Sequence, residues 1–229
     1  MCDETERLIA DDPEELAVVR SLFCALFASR TLIDCIELSI EGTGELNLNR
    51  RGFTYGETGL KALLTMLQAA ELQSYCCNCV PLRALAGDQR CTECGRRFAG
   101  AAVVDLGSGI GNLVVGAALL AAAKLVRVSS VCGVELLPPL HHAAVAIISE
   151  LTSRGDSGRV SLPAPLPPCR LACEDLTMFD ISDADVCYLC STIMTNETIN
   201  RFSDHAAATM RLGSRGKTTP LEHTHSADF

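Results

Sequence analysis

The second half of the chain alternates between short apolar runs and longer segments in which apolar residues recur at helical spacing. This alternation predicts an α/β fold with a parallel sheet and helices on both of its faces. The predicted strands are Ala101–Asp105, Val126–Glu135, Arg170–Glu174 and Asp185–Cys190. The predicted helices are Asn112–Lys124, Leu137–Leu151 and Asn196–Met210.

Helical patterns also precede this region. Apolar residues at helical spacing predict a helix that begins after Asp12 and runs to about Ala28. Thr31–Ile40 alternates only weakly and fits either a strand or a short helix, which Gly42–Gly44 is expected to end. A further helix is predicted after Thr58, a residue type that caps helices. Its apolar face is formed by Leu60, Leu63, Leu64 and Leu67.

Charge and composition disfavour nucleic-acid-binding, membrane-spanning and secreted proteins. The formal net charge is −9, whereas nucleic-acid binders present a basic face, so no general nucleic-acid-binding surface is expected. The longest apolar run, Leu113–Ala123, is too short to span a bilayer, and no signal peptide opens the chain. We therefore expect a soluble intracellular protein with reduced thiols, in which Cys24, Cys35 and Cys132 are small core residues.

A glycine-rich turn follows the first predicted strand. Asp105 ends the strand, Gly107, Gly109 and Gly111 make the turn, and Asn112 begins the next helix. Ligands bind beyond the carboxyl ends of parallel strands, and glycines let the backbone approach them closely. The spacing G-x-G-x-G differs from the G-x-G-x-x-G of dinucleotide sites. A carboxylate at Asp105 disfavours a pyrophosphate and suits the ammonium and sulfonium charges of S-adenosylmethionine (SAM).

Two more acids follow later strands of the predicted sheet. Glu135 closes the second strand, where a carboxylate that binds both ribose hydroxyls is expected. Asp175 follows the third strand and is expected to reach the adenine edge. The alternative is a plain glycine turn with surface carboxylates. The succession of strand, acid, glycine loop, helix, strand and acid favours the ligand site over that alternative.

These motifs resemble those of a known superfamily. Asp105–Asn112 and Gly133–Glu135 are similar to the cofactor motifs of class I SAM-dependent methyltransferases, which have a Rossmann-like fold. Upstream, Phe53–Thr58 reads F-T-Y-G-E-T and precedes a leucine-rich helix. This segment, with D-L-G-S-G-I-G downstream, resembles the DOT-one (disruptor of telomeric silencing) family of histone lysine methyltransferases. The resemblance runs from about Phe53 to Met210.

The resemblance implies a SAM site and a channel for a lysine side chain. The implied cofactor-binding residues are Tyr55, Glu57, Thr58, Asp105, Gly107, Ser108, Gly109, Gly111, Asn112, Glu135 and Asp175. Those of the Y-G-E-T segment would form a lid over the methionine part of SAM, and the alternative is an ordinary helix start capped by Thr58. Tyr55, Cys190 and Ser191 would line the lysine channel and carry the catalytic role.

The chain departs from the family pattern in two places. Where the family has an Asn-rich motif that ends the fourth strand and lines the lysine channel, this chain has Tyr188–Thr192. A seven-stranded class I sheet also ends in an antiparallel hairpin, and Arg211–Phe229 does not have a strand pattern. We therefore expect the C-terminal strands to be incomplete.

A cysteine-rich insert separates the two parts of the chain. Cys76 and Cys79 form one C-x-x-C pair, and Cys91 and Cys94 form a second. Four thiolates at this spacing can surround one tetrahedral zinc ion, and a short segment with little core of its own needs such a staple. A redox pair or unligated thiols are the alternatives. With four cysteine ligands, the zinc would be structural and the insert would resemble a zinc ribbon.

The sequence thus predicts three regions: a helical extension with the Y-G-E-T lid at 1–72, a four-cysteine zinc insert at 73–99, and a SAM-binding Rossmann-like domain at 100–229. The expected activity is methyl transfer from SAM to a protein lysine, with a histone or nucleosome as the substrate and, by resemblance, a nuclear location. No membrane association is expected. The alternatives are a class I methyltransferase for a small molecule or RNA, and a non-catalytic SAM-fold interaction protein.

Overall fold

The computed structural model describes residues 13–46, 48, 59–73, 100–156, 162–190 and 194–210. Six helices lie in these ranges: α1 Glu14–Phe27, α2 Leu32–Glu45, α3 Leu60–Gln73, α4 Asn112–Ala122, α5 Pro138–Asp156 and α6 Asn196–Thr209. Four strands lie among them: β1 Ala101–Leu106, β2 Val128–Val134, β3 Cys169–Ala172 and β4 Val186–Leu189. Each predicted strand and helix of the second half is present, with ends that shift by a few residues.

The four strands form one parallel sheet in the order β3-β2-β1-β4. In register, Leu106 at the end of β1 lies beside Val134 on one side and Leu189 on the other, and Val134 lies beside Ala172. All four strands therefore end along the same edge of the sheet. The predicted α/β fold with a parallel sheet is confirmed.

The sheet separates two hydrophobic clusters, because side chains of a strand alternate between its faces. Val103 belongs to the larger cluster, which it shares with α1, α3, α4 and α5, whereas Val104 and Leu106 pack in a smaller cluster with Phe202 of α6. Helices therefore cover both faces, as the alternating pattern predicts. Between the sheet and the outer helices, α4 is apolar all round and almost wholly buried, as expected of a central helix.

The helices that precede the sheet share its larger core. α1 and α3 both pack on α4, with Phe23, Leu60 and Leu63 buried in the contact. A Cβ added at Gly116 of α4 would lie 2.7 Å from Cδ2 of Leu63, so the glycine sets how closely α3 approaches. The predicted apolar face of α3 is present, with Leu64 half-buried and the other three leucines buried.

The segment for which the sequence fitted either a strand or a short helix is a helix. Thr31 and Asp34 form a capping box at the start of α2, in which the Thr31 side chain accepts from the Asp34 amide and the Asp34 carboxylate accepts from the Thr31 amide. The expectation that Gly42–Gly44 ends this element is wrong, since α2 continues to Glu45. Gly42 instead permits close packing, because a Cβ there would lie 2.9 Å from Cβ of Leu137.

The structure tests only some of the predictions about cysteines and membrane-spanning segments. Cys24 forms a disulfide bond, which corrects the expectation that it is a reduced core thiol. Within the described ranges, no single helix has the length and apolar composition needed to cross a membrane. Only the bent pair of α1 and α2 meets that criterion jointly. The cysteines of the predicted zinc insert and the region after Met210 lie outside the described residues.

Candidate functional site

The order of the strands creates a crevice at one end of β1. The chain runs from β1 outward to β2 and β3, and then returns to the opposite side of β1 as β4. In open parallel sheets, ligands bind where the order reverses in this way, beyond the carboxyl ends of the strands. The glycine loop follows β1 directly, so this loop lies at the reversal point.

The loop adopts backbone conformations that favour glycine. Gly107 has φ +83°, Gly109 has φ +55° and Gly111 has φ +86°. Left-handed conformations cost other residue types about 1–2 kcal/mol each. Gly111 is also the N-cap of α4, and the Val115 amide donates to its carbonyl to open that helix.

Backbone hydrogen bonds tie the loop to the end of β2. The amides of Gly107 and Ser108 both donate to the carbonyl of Val134, at 2.8 and 3.0 Å. The Gly111 amide donates to the Ser108 carbonyl at 2.8 Å, which closes the turn. The position of the loop therefore depends on the neighbouring strand as much as on its own sequence.

The Glu135 side chain joins the glycine loop to the start of α5. Its Oε2 accepts a hydrogen bond from the Gly109 amide at 2.8 Å, and its Oε1 accepts one from the Leu137 amide at 2.9 Å. The side chain is buried, and desolvation raises its pKa in spite of these bonds. We call this arrangement the Glu135 bridge. Each carboxylate oxygen can accept a second hydrogen bond, so the bridge leaves capacity for a ligand hydroxyl.

Asp105 is the other acid of the site, and its environment is unusual for a carboxylate. It is 4% exposed. Desolvation, and secondarily the charge of Glu135, raise the pKa of Asp105 to about 8. Among the described residues, none donates a hydrogen bond to this carboxylate. A buried acid without a donor or a cation is costly, so burial holds it in the protonated form at neutral pH.

Two polar atoms of the loop are also buried without a partner. Oγ of Ser108 and Oδ1 of Asn112 make no hydrogen bond to the described residues and are shielded from solvent. Buried polar groups are nearly always paired, so such exceptions call for an explanation. Both atoms flank the glycine turn that follows Asp105. A polar ligand bound at this loop would supply their missing hydrogen-bond partners.

A glycine of β2 provides the space that Ser108 occupies. A Cβ added at Gly133 would lie 2.8 Å from Oγ of Ser108 and 2.8 Å from Cγ2 of Val114. Gly133 pairs with Asp105 in the sheet register, so it lies directly beside the buried acid. The C-G-V-E motif therefore has a steric role in addition to the acid that ends it.

Met194 is a residue of the site that the sequence analysis did not identify. Its Cε lies 3.3 Å from where a Cβ of Gly107 would be, so the thioether lies against this exposed glycine of the loop. In the sequence, Met194 is an apolar residue directly before Thr195, the N-cap of α6. Such a residue is typical of a hydrophobic staple, and nothing in the pattern indicates a contact with a distant loop.

The remaining predicted site residues lie at the same edge or outside the described ranges. Cys190 directly follows β4, which lies beside β1. Asp175 lies after β3, where its Oδ1 accepts from the amide and hydroxyl of Thr177 and so stabilises a local turn. Its neighbour Glu174 donates its amide to the Glu135 carbonyl, so this turn adjoins the Glu135 bridge. The predicted residues outside the described ranges are Tyr55, Glu57, Thr58 and Ser191.

We expect Glu135→Ala to lower the free energy of unfolding by about 1–3 kcal/mol, because two buried amides lose their acceptor. The net loss is moderated by removal of a desolvated carboxylate. Glu135→Gln keeps one acceptor oxygen and should fall between the wild type and the alanine variant. Thermal unfolding measures the difference. Glu150→Ala is the control, because Glu150 lies exposed on α5 and pairs with Arg154 on the same helix. Equal stability of the two alanine variants would contradict the bridge.

The chain was also compared with known proteins. No family model and no curated protein matches it. Its fold is similar to the YcgJ protein from Bacillus subtilis, with a TM-score of 0.38 and 15% identity over 67% of this chain and 47% of that one. A second solved structure is magnesium protoporphyrin IX methyltransferase from Synechocystis with bound SAM, with a TM-score of 0.39 and 12% identity over 89% and 74%.

A third similar structure is a SAM-dependent methyltransferase from Thiobacillus denitrificans in complex with S-adenosylhomocysteine, with a TM-score of 0.36 and 19% identity. The match covers 89% of this chain and 53% of that one. The chain therefore spans about half the length of two of these three proteins.

Proposed function

We propose that the chain binds SAM at the crevice beyond β1 and is a SAM-dependent methyltransferase. One observation carries the proposal: a buried carboxyl, Asp105, lies next to a glycine loop and has no hydrogen-bond donor among the described residues. A positively charged ligand at this loop would stabilise the ionised form of Asp105, since an opposite charge nearby favours the charged state. SAM combines such charge with an adenosine group.

The polar groups around Asp105 also fit SAM. Ser108 and Asn112 each have one buried polar atom without a partner among the described residues, as a ligand with its own donors requires. Glu135 has unused acceptor capacity for ribose hydroxyls. A dinucleotide fits less well, because two acidic side chains at the loop would repel its pyrophosphate.

When bound, SAM supplies a methyl group that its sulfonium already activates for displacement. The protein contributes alignment of the acceptor and exclusion of water. An acceptor amine must be neutral at its nitrogen before it can attack. Cys190, directly after β4, and by resemblance Tyr55 and Ser191, are the residues that we propose to surround that amine. Met194 lies against Gly107 of the glycine loop.

The acceptor is proposed from the sequence resemblance alone. The Y-G-E-T segment favours the lysine amine of a protein, with a histone or nucleosome as the substrate and a nuclear location. A small molecule or RNA is the alternative acceptor class. We also retain the proposal that Cys76, Cys79, Cys91 and Cys94 hold a structural zinc ion.

Two measurements test the proposed function in order. Calorimetric titration of the full chain with SAM is expected to show binding at one site. Incubation with methyl-labelled SAM is then expected to label free histones or nucleosomes, and not RNA. If only RNA is labelled, the chain is a methyltransferase whose acceptor is RNA and not a protein lysine. Binding without transfer to any acceptor would support the non-catalytic alternative. The absence of SAM binding would contradict the proposal itself.

A further inference from the structure

The second helix has its apolar side toward solvent. Ile33 is 67% exposed, Ile36 is 37% exposed and Ile40 is 43% exposed. These residues recur at spacings of three and four, so they form one stripe along the helix. The fully buried residues of α2 are small or polar, namely Cys35, Ser39, Gly42 and Thr43, and the half-buried Leu38 packs against the core beside them. We call the three exposed residues the isoleucine stripe.

This arrangement is the reverse of the usual one. A helix on the surface of a soluble domain normally buries its branched apolar residues and exposes its polar ones. A continuous exposed apolar stripe marks a surface that contacts another molecule. We propose that the isoleucine stripe is the contact between two copies of this chain, in which the two α2 helices pack antiparallel about a two-fold axis.

The spacing of the stripe suits such an axis. In a two-fold contact, residue i of one copy meets residue j of the other, and j meets i. With the axis between Ile36 and Glu37, Ile33 of each copy lies opposite Ile40 of its partner, and the two Ile36 side chains meet near the centre. The isoleucine stripe of one copy can therefore pack against the same stripe of a second, antiparallel copy.

The charges beside the stripe favour the same antiparallel direction. Arg30 lies just before the helix, and Glu41 and Glu45 lie in its last turns. All three line an open cavity between α2 and the start of α5. Among the described residues, none forms an ion pair with any of them. Asp34 feels the charge of Arg30, but its carboxylate is engaged by Thr31 in the capping box.

In an antiparallel pair the same flank of each helix faces its counterpart, so Arg30 of each copy approaches Glu41 and Glu45 of the other. In a parallel two-fold pair these flanks would instead lie on opposite sides of the contact, and Arg30 would not meet the glutamates of the other copy. The acidic flank also disfavours an anionic lipid surface as the occupant, because membrane surfaces attract basic segments and repel acidic ones. A second copy supplies both the apolar stripe and the missing cations.

The proposed contact is short, so we expect a small and weak protein–protein interface. A helix of this length extends about 21 Å at 1.5 Å per residue. Interfaces of that size are transient, and we expect a dimer dissociation constant on the order of 10 µM. Glu37 is a like-charged group near the axis. Removal of its charge in Glu37→Gln should therefore tighten the dimer about twofold.

Sedimentation velocity of the full chain from about 1 to 100 µM tests the proposal, because this range brackets the expected constant. We expect a reversible monomer–dimer equilibrium in the wild type. Ile36→Glu should weaken the dimer at least about tenfold, since it adds two carboxylates beside the two Glu37 side chains at the axis. Met178→Glu is the matched control, because Met178 is 73% exposed and lies after β3 rather than on α2. Its dimer should equal that of the wild type.

A charge exchange tests the antiparallel direction. The single variant Arg30→Glu makes the flank formed by residues 30, 41 and 45 wholly acidic. The double variant Glu41→Arg/Glu45→Arg makes the same flank basic. Each variant alone should self-associate about tenfold more weakly than the wild type, and an equimolar mixture should recover dimers. Circular dichroism and the melting temperature establish that both variants are folded. A wild type that is monomeric at the highest concentration overturns the proposal. So does a dimer that Ile36→Glu leaves intact, or a mixture of the two charge variants that fails to recover dimers.

Discussion

Replacement of Asp105 by asparagine is expected to weaken SAM binding at least about thirtyfold, or roughly 2 kcal/mol, while making the ligand-free protein more stable. The two effects have opposite signs because the buried carboxyl costs stability when no cation is present. It contributes to binding only when the ligand supplies the positive charge. Without a ligand, Asp105 lies beside Glu135 with no donor among the described residues and has a pKa of about 8. Asparagine keeps the shape of the side chain and removes a carboxyl that ionises readily only in the unfolded chain.

The pH dependence of stability follows from the raised pKa. In the unfolded chain this carboxyl loses its proton near pH 3.8, whereas in the folded protein it keeps the proton until about pH 8. Between these values the unfolded state binds fewer protons, so the stability of the ligand-free protein falls as pH rises and then levels off above about pH 8. Glu135, whose pKa is also raised, acts in the same direction. Asp105→Asn removes the contribution of Asp105 to this slope. It should therefore add on the order of 3 kcal/mol at pH 7.

Ligand binding should show the complementary proton exchange. Below pH 8 the ligand-free protein holds a neutral Asp105, so a cationic ligand must displace its proton to gain the ion pair. Calorimetry of SAM binding in buffers of different ionisation enthalpy is expected to report the release of about one proton at pH 6.5, and an affinity that increases toward pH 8. In Asp105→Asn this proton release should vanish. Unchanged SAM affinity in Asp105→Asn would show that the ligand lies elsewhere.

Replacement of Gly133 by valine is expected to destabilise the protein by about 3 kcal/mol and to abolish measurable SAM binding. A Cβ at this position already lies 2.8 Å from Oγ of Ser108 and 2.9 Å from Cδ2 of Leu171. Val114 is buried on the third side at 2.8 Å, so no direction is open for relaxation. The added methyl groups must therefore displace Ser108 and the glycine loop that Val134 holds.

Chemical denaturation and SAM titration measure the two effects of Gly133→Val separately. Gly44→Ala is the control, because a Cβ at Gly44 meets nothing within 4 Å. Alanine there should change stability by less than about 1 kcal/mol, in the favourable direction expected for glycine replaced within a helix. A Gly133→Val variant that binds SAM like the wild type would contradict the steric role of this glycine. The Gly44→Ala result shows whether loss of a glycine alone has any effect.

The sequence was sufficient to predict the elements of the sheet domain and the residues at its carboxyl edge. Apolar runs predicted the four strands, and the order of strand, acid and glycine turn predicted that Asp105 and Glu135 would lie close together. Both inferences depend on local rules: strands of a parallel sheet end at one edge, and only glycines adopt a φ such as the +86° of Gly111 at little cost. The hydrogen bond from the Gly109 amide to Glu135 was not predicted, because the sequence pattern assigned this carboxylate to ribose hydroxyls.

Only the tertiary structure decided the rest. Residues 31–40 fit a strand or a helix by their pattern. Only the structure shows that they form a helix whose isoleucines face solvent and whose packed side combines small and polar residues with Leu38. The contacts of Gly133 with Ser108 and of Met194 with Gly107 join residues that are distant in the chain. The raised pKa of Asp105 likewise comes from burial by several elements. Such properties depend on three-dimensional packing, which no local pattern of residues contains.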